Sequence, residues 1–204
     1  MNTKRLLLAL TLLLMGLTSI VSAKTETYRL DKDHGQIGFR VKHLVISNVT
    51  GEFLKYEGVF EVDESKKAMI SGRVTIDASS IYTKHKKRDK HLRSADFLDV
   101  EKFPQIVFKY KRIVSITDPK FTVLGDLTLH GVTKEVVLDM EILGRIKDPW
   151  GNFRVGFTGT TRIDRRDFGI KWSKVMDNGG LIVGDIVKIN IEGEAILDEP
   201  KQKK

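Results

Sequence analysis

The chain has 204 residues, 41% of them hydrophobic and 30% charged, with a formal net charge of +8 and no cysteine. Missing thiols exclude a disulfide scaffold, a cysteine nucleophile, cysteine metal ligands and an acylated lipoprotein anchor. The length suits one domain with a substantial core.

The N-terminus reads as a targeting segment. Lys4 and Arg5 precede the apolar run "LLLALTLLLMGL" from Leu6 to Leu17, and small residues flank Ser22 at Val21 and Ala23. This is the pattern of a secretory signal peptide, with a cut expected after Ala23. The run is short for a bilayer span. A single domain is therefore expected over 24–204. An exported, basic protein meets anionic head groups more readily than nucleic acid.

From Thr27 the chain alternates with a period of two, the mark of half-buried strands. "TYRLD" comes first, and "GQIGFRVKHL" then turns Ile37, Phe39 and Val41 to one face and Gly38, Arg40 and Lys42 to the other. "GVFEV", "ISGRVTIDA" and "QIVFKY" continue the pattern, followed by "FTVLGDLTLH", "EVVLDMEIL", "FRVGFTGTTRI" and "DIVKINIEGEAIL". Breaks fall at His130–Lys134 and Lys147–Asn152. About eight short alternating strands predict an all-β antiparallel sandwich or barrel, and closure into a barrel removes the exposed edges. "PKQKK" ends the chain as a polar tail.

One stretch departs from this pattern. Lys84 to Ala95 has neither a period of two nor Gly or Pro, and it predicts a short helix stopping near Ser94. Asp89 and Arg93 have the i, i+4 spacing of an ion pair. The basic residues would suit a phosphate-contacting helix, but no aromatic residue interleaves them for base stacking, so a solvated face is preferred and no nucleic acid partner is expected. His34, His43, His85, His91 and His130 form no HExxH, and His85 with Asp89 is a weak pair, so no metal is expected. The chain has no GxSxG elbow, and no enzymatic activity and no cofactor are expected. Ten phenylalanines, most on the inward phase, fit either a packed core or a cavity, since an eight-stranded barrel is about wide enough for either.

Several segments together resemble the YceI-like family, the lipocalin-like polyisoprenoid-binding proteins of bacteria. They are "YRLDKDHGQIGFRVKHL", "VTGEFLKYEGVFEVD", "RDKHLRSADFLDVEKFP", "GDLTLHGVTKEVVLD", "DPWGNFRVGFTGTTRIDRRDFGIKW" and "VGDIVKINIEGEA", in the family's order and across nearly the whole of 24–204. The resemblance implies an extended eight-stranded antiparallel lipocalin-like β-barrel with a helical insertion, here about 84–95. It implies a periplasmic protein whose apolar tunnel holds an isoprenoid quinone, polyprenyl phosphate or similar long-chain lipid. That lipid is a ligand rather than a cofactor. A homodimer is a further implied partner, and the basic charge of an exported protein adds the expectation of transient contact with a membrane surface. The tunnel is then expected to be lined by Phe39, Val41, Phe53, Phe60, Ile76, Phe108, Leu127, Leu129, Phe157 and Trp172, with Phe97 and Phe103 at the tunnel or its entrance. Arg88, His91 and Arg93 are placed where they brace the loop or meet a head group. The chain departs from the family's common pattern at Gly35, often serine, at Leu98, often a second phenylalanine, and in the strongly basic "YTKHKKRD".

Overall fold

A computed structural model describes residues 25–63, 68–174 and 182–198. The expected signal peptide and the terminal Pro200–Lys204 lie outside the described residues. The elements in order are β1 (Thr25–His43), β2 (Ser47–Phe53), β3 (Tyr56–Asp63), β4 (Ala68–Asp77), β5 (Ile81–Tyr82), α1 (Lys86–Arg93), β6 (Gln105–Thr117), β7 (Lys120–Leu129), β8 (Val132–Lys147), β9 (Phe153–Asp164) and β10 (Val183–Leu197).

The sheet is antiparallel and closes because β1 pairs with β10, with Ile37 opposite Ile191 and Val41 opposite Val187. Along its other edge β1 pairs first with β3, Thr25 opposite Asp63, and then with β2, Ile37 opposite Phe53. β4 and β5 continue in the same way beside β3 and β2. β2–β3 and β4–β5 therefore each act as one ring strand, and the ring is the expected eight-stranded antiparallel barrel. One end, the helix end, carries the β1–β2 turn, α1, the β7–β8 turn and residues 165–174. The far end carries the β6–β7 and β8–β9 turns.

The expected "TYRLD" and "GQIGFRVKHL" strands are one strand, β1, interrupted by a register shift between Leu30 and Gly35. β2, "SNVTGEF", was not expected as a strand, because its only large apolar residues are Val49 and Phe53. The helix is shorter than expected, stopping at Arg93 with Ser94 as its C-cap but starting only at Lys86, with His85 as its N-cap: the Nδ1 of His85 accepts from the Arg88 N–H at 3.2 Å.

Eight residues, seven of them polar, are too few to hold a helix alone; tertiary anchors fix this one. Asp89 is buried and accepts from the Thr83 N–H at 2.9 Å and the Thr83 hydroxyl at 2.5 Å. The expected Asp89–Arg93 ion pair therefore does not form. Arg93 instead donates to the carbonyls of Ser79 and Ile81, at 2.6 and 2.8 Å. A buried carboxylate needs hydrogen-bond partners, and Thr83 supplies two, both to Asp89 Oδ1.

A cluster around Arg154 locks the seam of the barrel. From β9, Arg154 donates to Asp31 on β1 (2.5 Å), Glu194 on β10 (2.8 Å) and Asp148 in the β8–β9 turn (2.7 Å). Asp148 also accepts from the N–H groups of Trp150 and Asn152 and from the Asn152 amide, which sets the turn.

Candidate functional site

An apolar cavity of about 410 Å³ runs inside the barrel, within the size range of ligand sites. Alternation delivers its walls. Phe39 and Val41 reach it from β1, Phe53 from β2, Phe60 from β3 and Ile76 from β4. Phe108 comes from β6, Leu127 and Leu129 from β7 and Phe157 from β9, while Phe97 and Trp172 cover the helix end. Phe121 and Met140 line it toward the far end.

Glycine makes part of this room. A Cβ on Gly125 would overlap the Phe108 ring, so the glycine gives that ring its place. Gly35 is explained likewise, since a Cβ there would come within 2.7 Å of the Tyr56 hydroxyl. That hydroxyl is buried without a partner among the described residues, and burial raises its pKa.

Phe103 is not a wall residue. Its ring packs on His130, centroids 4.7 Å apart, and over Gly131, where a Cβ would overlap it. It pins the helical insertion to the β7–β8 turn instead of facing the cavity.

The three basic residues divide. Arg88 and His91 line the cavity, whereas Arg93 is not among the lining residues and holds the two carbonyls named above. Arg88 is itself braced by the Thr83 hydroxyl and carbonyl, each at 2.7 Å. The His91 ring meets Phe97 and Trp172 edge-on, both centroids at 5.0 Å, and its Nε2 lies 2.7 Å from Asp96.

Two lining groups were not anticipated. Lys42, expected on the outer face, keeps an exposed side chain and borders the cavity at its helix-end rim beside His43. The β1–β10 register shifts between Val41 and His43, where β10 carries the extra residues, while the β1–β2 register runs unbroken through Lys42 and His43. Arg165 is 4% exposed and donates to the carbonyls of Ile170 (2.8 Å), Trp172 (2.7 Å) and Gly184 (3.0 Å), and to Asp185 (2.9 Å). Burial lowers its pKa and Asp185 opposes that shift. It ties the irregular segment carrying Trp172 to the start of β10. Arg165→Lys keeps the charge but not the fork of donors. It is expected to cost about 1.5–3 kcal/mol and to weaken the near-UV circular dichroism of Trp172, measured alongside urea unfolding.

Outside the barrel, the side chains of Asp31, His34 and Glu194 come within 4.8 Å of one another. Asp31 and Glu194 hold the Arg154 guanidinium, and His34 Nδ1 lies 2.9 Å from Asp31 Oδ2. Burial would raise the Asp31 carboxyl, but hydrogen bonds from His34 and Arg154 hold it down to about 2.

A closed antiparallel barrel around an apolar cavity, with its basic groups gathered at one end, is the architecture of a small-ligand-binding barrel. The chain belongs to the YceI-like domain family, whose model matches residues 28–195. It is 41% identical over 167 residues to a UPF0312 protein of Vibrio cholerae, covering 79% of this chain and 88% of that one. The YCEI protein of Campylobacter jejuni superposes with a TM-score of 0.66 at 35% identity, covering 86% of this chain and 97% of its own. A polyisoprenoid binding domain from Saccharophagus degradans, implicated in plant cell wall breakdown, shares the fold with a TM-score of 0.60 at 14% identity, covering 83% of this chain and 98% of its own.

Proposed function

We propose that the protein binds the tail of a polyisoprenoid or similar long-chain amphiphile, of isoprenoid-quinone or polyprenyl-phosphate type, inside the barrel. It acts as a periplasmic carrier and performs no chemistry on the ligand. The observation that carries this reading is the polarity of the cavity. Its cationic and imidazole groups, His43, Arg88, His91 and Arg165, with Lys42 on the rim, gather at the helix end, and the walls beyond them are aromatic and aliphatic. An amphiphile is thereby oriented, with its head under α1 and its tail toward Phe121 and Met140. Each methylene buried contributes about 0.8 kcal/mol, so a long tail is held by many weak contacts. A preformed cavity limits the ordering cost that opposes them. The S. degradans domain, described as polyisoprenoid binding, supports this choice of ligand, and the leader pattern at Met1–Ala23 supports export.

The test is native mass spectrometry of the chain purified from a bacterial periplasm without detergent, followed by solvent extraction. A near-stoichiometric isoprenoid or acyl lipid, chemically intact, is expected. A clean apo mass that added lipids do not change would overturn the reading, and a converted lipid would indicate an enzyme.

A further inference from the structure

The helix end sorts its cations. Arg88 and Arg93 turn inward and are committed to Thr83, Ser79 and Ile81. Lys84, Lys86, Lys87 and Lys90 are all exposed, and none makes an ion pair among the described residues. The acids nearby are largely occupied: Asp89 by Thr83, Asp96 by His91, Asp99 by Lys102, and Asp164 and Asp185 by Arg166 and Arg165. Glu101 and Asp167 stay exposed. Four unneutralised ammonium groups within seven residues repel one another, and no ion pair among the described residues offsets that repulsion.

The β1–β2 turn projects from the same end. Its Val45 and Ile46 are 61% and 85% exposed. Leu44 and Val45 hold positive φ, 51° and 64°, a conformation unfavourable for a β-branched residue that glycine or asparagine would adopt at little cost. The turn therefore displays apolar side chains to water at a cost in both solvation and backbone energy. Lys42 and His43, which lead into it, border the cavity.

We propose that this end docks on an anionic lipid bilayer, with Val45 and Ile46 entering the head-group layer and the four lysines facing lipid phosphates. A soluble polyanion satisfies lysines but offers nothing to an isoleucine. A bilayer surface offers both, and basic charge beside a small apolar anchor is the combination that gives reversible surface binding. Docking places the polar end of the cavity at the membrane. It is independent of what the cavity holds, but it gives the proposed carrier a place to exchange its lipid.

The absence of cysteine makes site-specific labelling direct. Ile46→Cys and, at the far end, Ile116→Cys carry a polarity-sensitive dye and are mixed with phosphatidylcholine vesicles with and without phosphatidylglycerol. A blue shift is expected at position 46 alone, with anionic vesicles alone, and it should weaken with salt. Lys86→Glu/Lys87→Glu should reduce vesicle partitioning at least about 25-fold. Ile46→Ser should reduce it while leaving the salt dependence. Equal shifts at both positions, no loss on charge reversal, or vesicle binding no stronger than binding to polyphosphate would each overturn the proposal. Lipid content after extraction is read separately, so an empty cavity and a non-docking surface remain distinguishable.

Discussion

Arg154→Leu is expected to lower folding stability by about 3–5 kcal/mol, the cost of leaving buried carboxylates without their cation. Arg154 is 14% exposed at the side chain, and its partners Asp148 and Asp31 are 3% and 9% exposed. Burial would raise the Asp148 carboxyl, but Arg154, Asn152 and Trp150 hold it well below the usual carboxylate range. Removing the guanidinium reverses that balance for both acids at once. It also unties β1, β9 and β10 where the barrel closes, so the damage is not confined to one turn.

The sign of the pH effect follows from these shifts. The folded pKa of Asp31 is depressed to about 2 from 3.8. Its contribution is present above its ordinary value and is lost as pH falls through the folded one. His34 runs the other way: its hydrogen bond to Asp31 raises its pKa. Its contribution is full below its ordinary value and is lost as pH rises through the folded one. That contribution is small because the imidazole is exposed. The wild type should therefore lose stability below about pH 4, whereas the leucine variant, whose acids protonate more readily, loses less. Urea unfolding at neutral pH and at about pH 3 measures the gap between the two. A gap under about 1 kcal/mol, or one that does not narrow with acid, would show that the cluster is a surface ornament and not the lock of the seam.

These residues also mark where sequence reasoning stops. The alternation that places Phe39, Phe60, Phe108 and Phe157 on one face follows from the pleat, and the wall was legible from it. Lys42 keeps the outward phase of that alternation, and its place on the cavity rim was legible only from the fold. Phe103 was read as part of the same greasy surface as Phe97. Only the fold shows that His130 and Gly131, some thirty residues on, take its ring. Arg165 left no trace in the pattern at all. Its partners are mostly main-chain carbonyls, and any residue type supplies a carbonyl. Arg154 and Asp148 stood inside the run "DPWGNFR", but their purpose depends on Asp31, which lies 123 residues away.

The cavity itself is tested by two substitutions that fail for different reasons. Phe108→Asp places a carboxylate among apolar walls. The carboxylate either keeps water beside it or is buried at a cost of several kcal/mol, so lipid uptake is expected to fall about 100-fold or more. A charge introduced there can also loosen the barrel, so the second variant avoids charge. A Cβ on Gly159 would meet the flexible end of Met140, with Sδ at 2.6 Å, while the nearest other atom is Ile191 Cβ at 3.6 Å. Gly159→Val therefore keeps the strand and pushes a thioether into the lumen, removing volume without adding polarity. Both variants should come out of the periplasm folded and depleted of lipid, with Gly159→Val the milder. Lys87→Ala, which alters only the solvent face of α1, should keep its full complement. If both cavity variants retain wild-type lipid while circular dichroism shows them folded, the lipid is not inside the barrel.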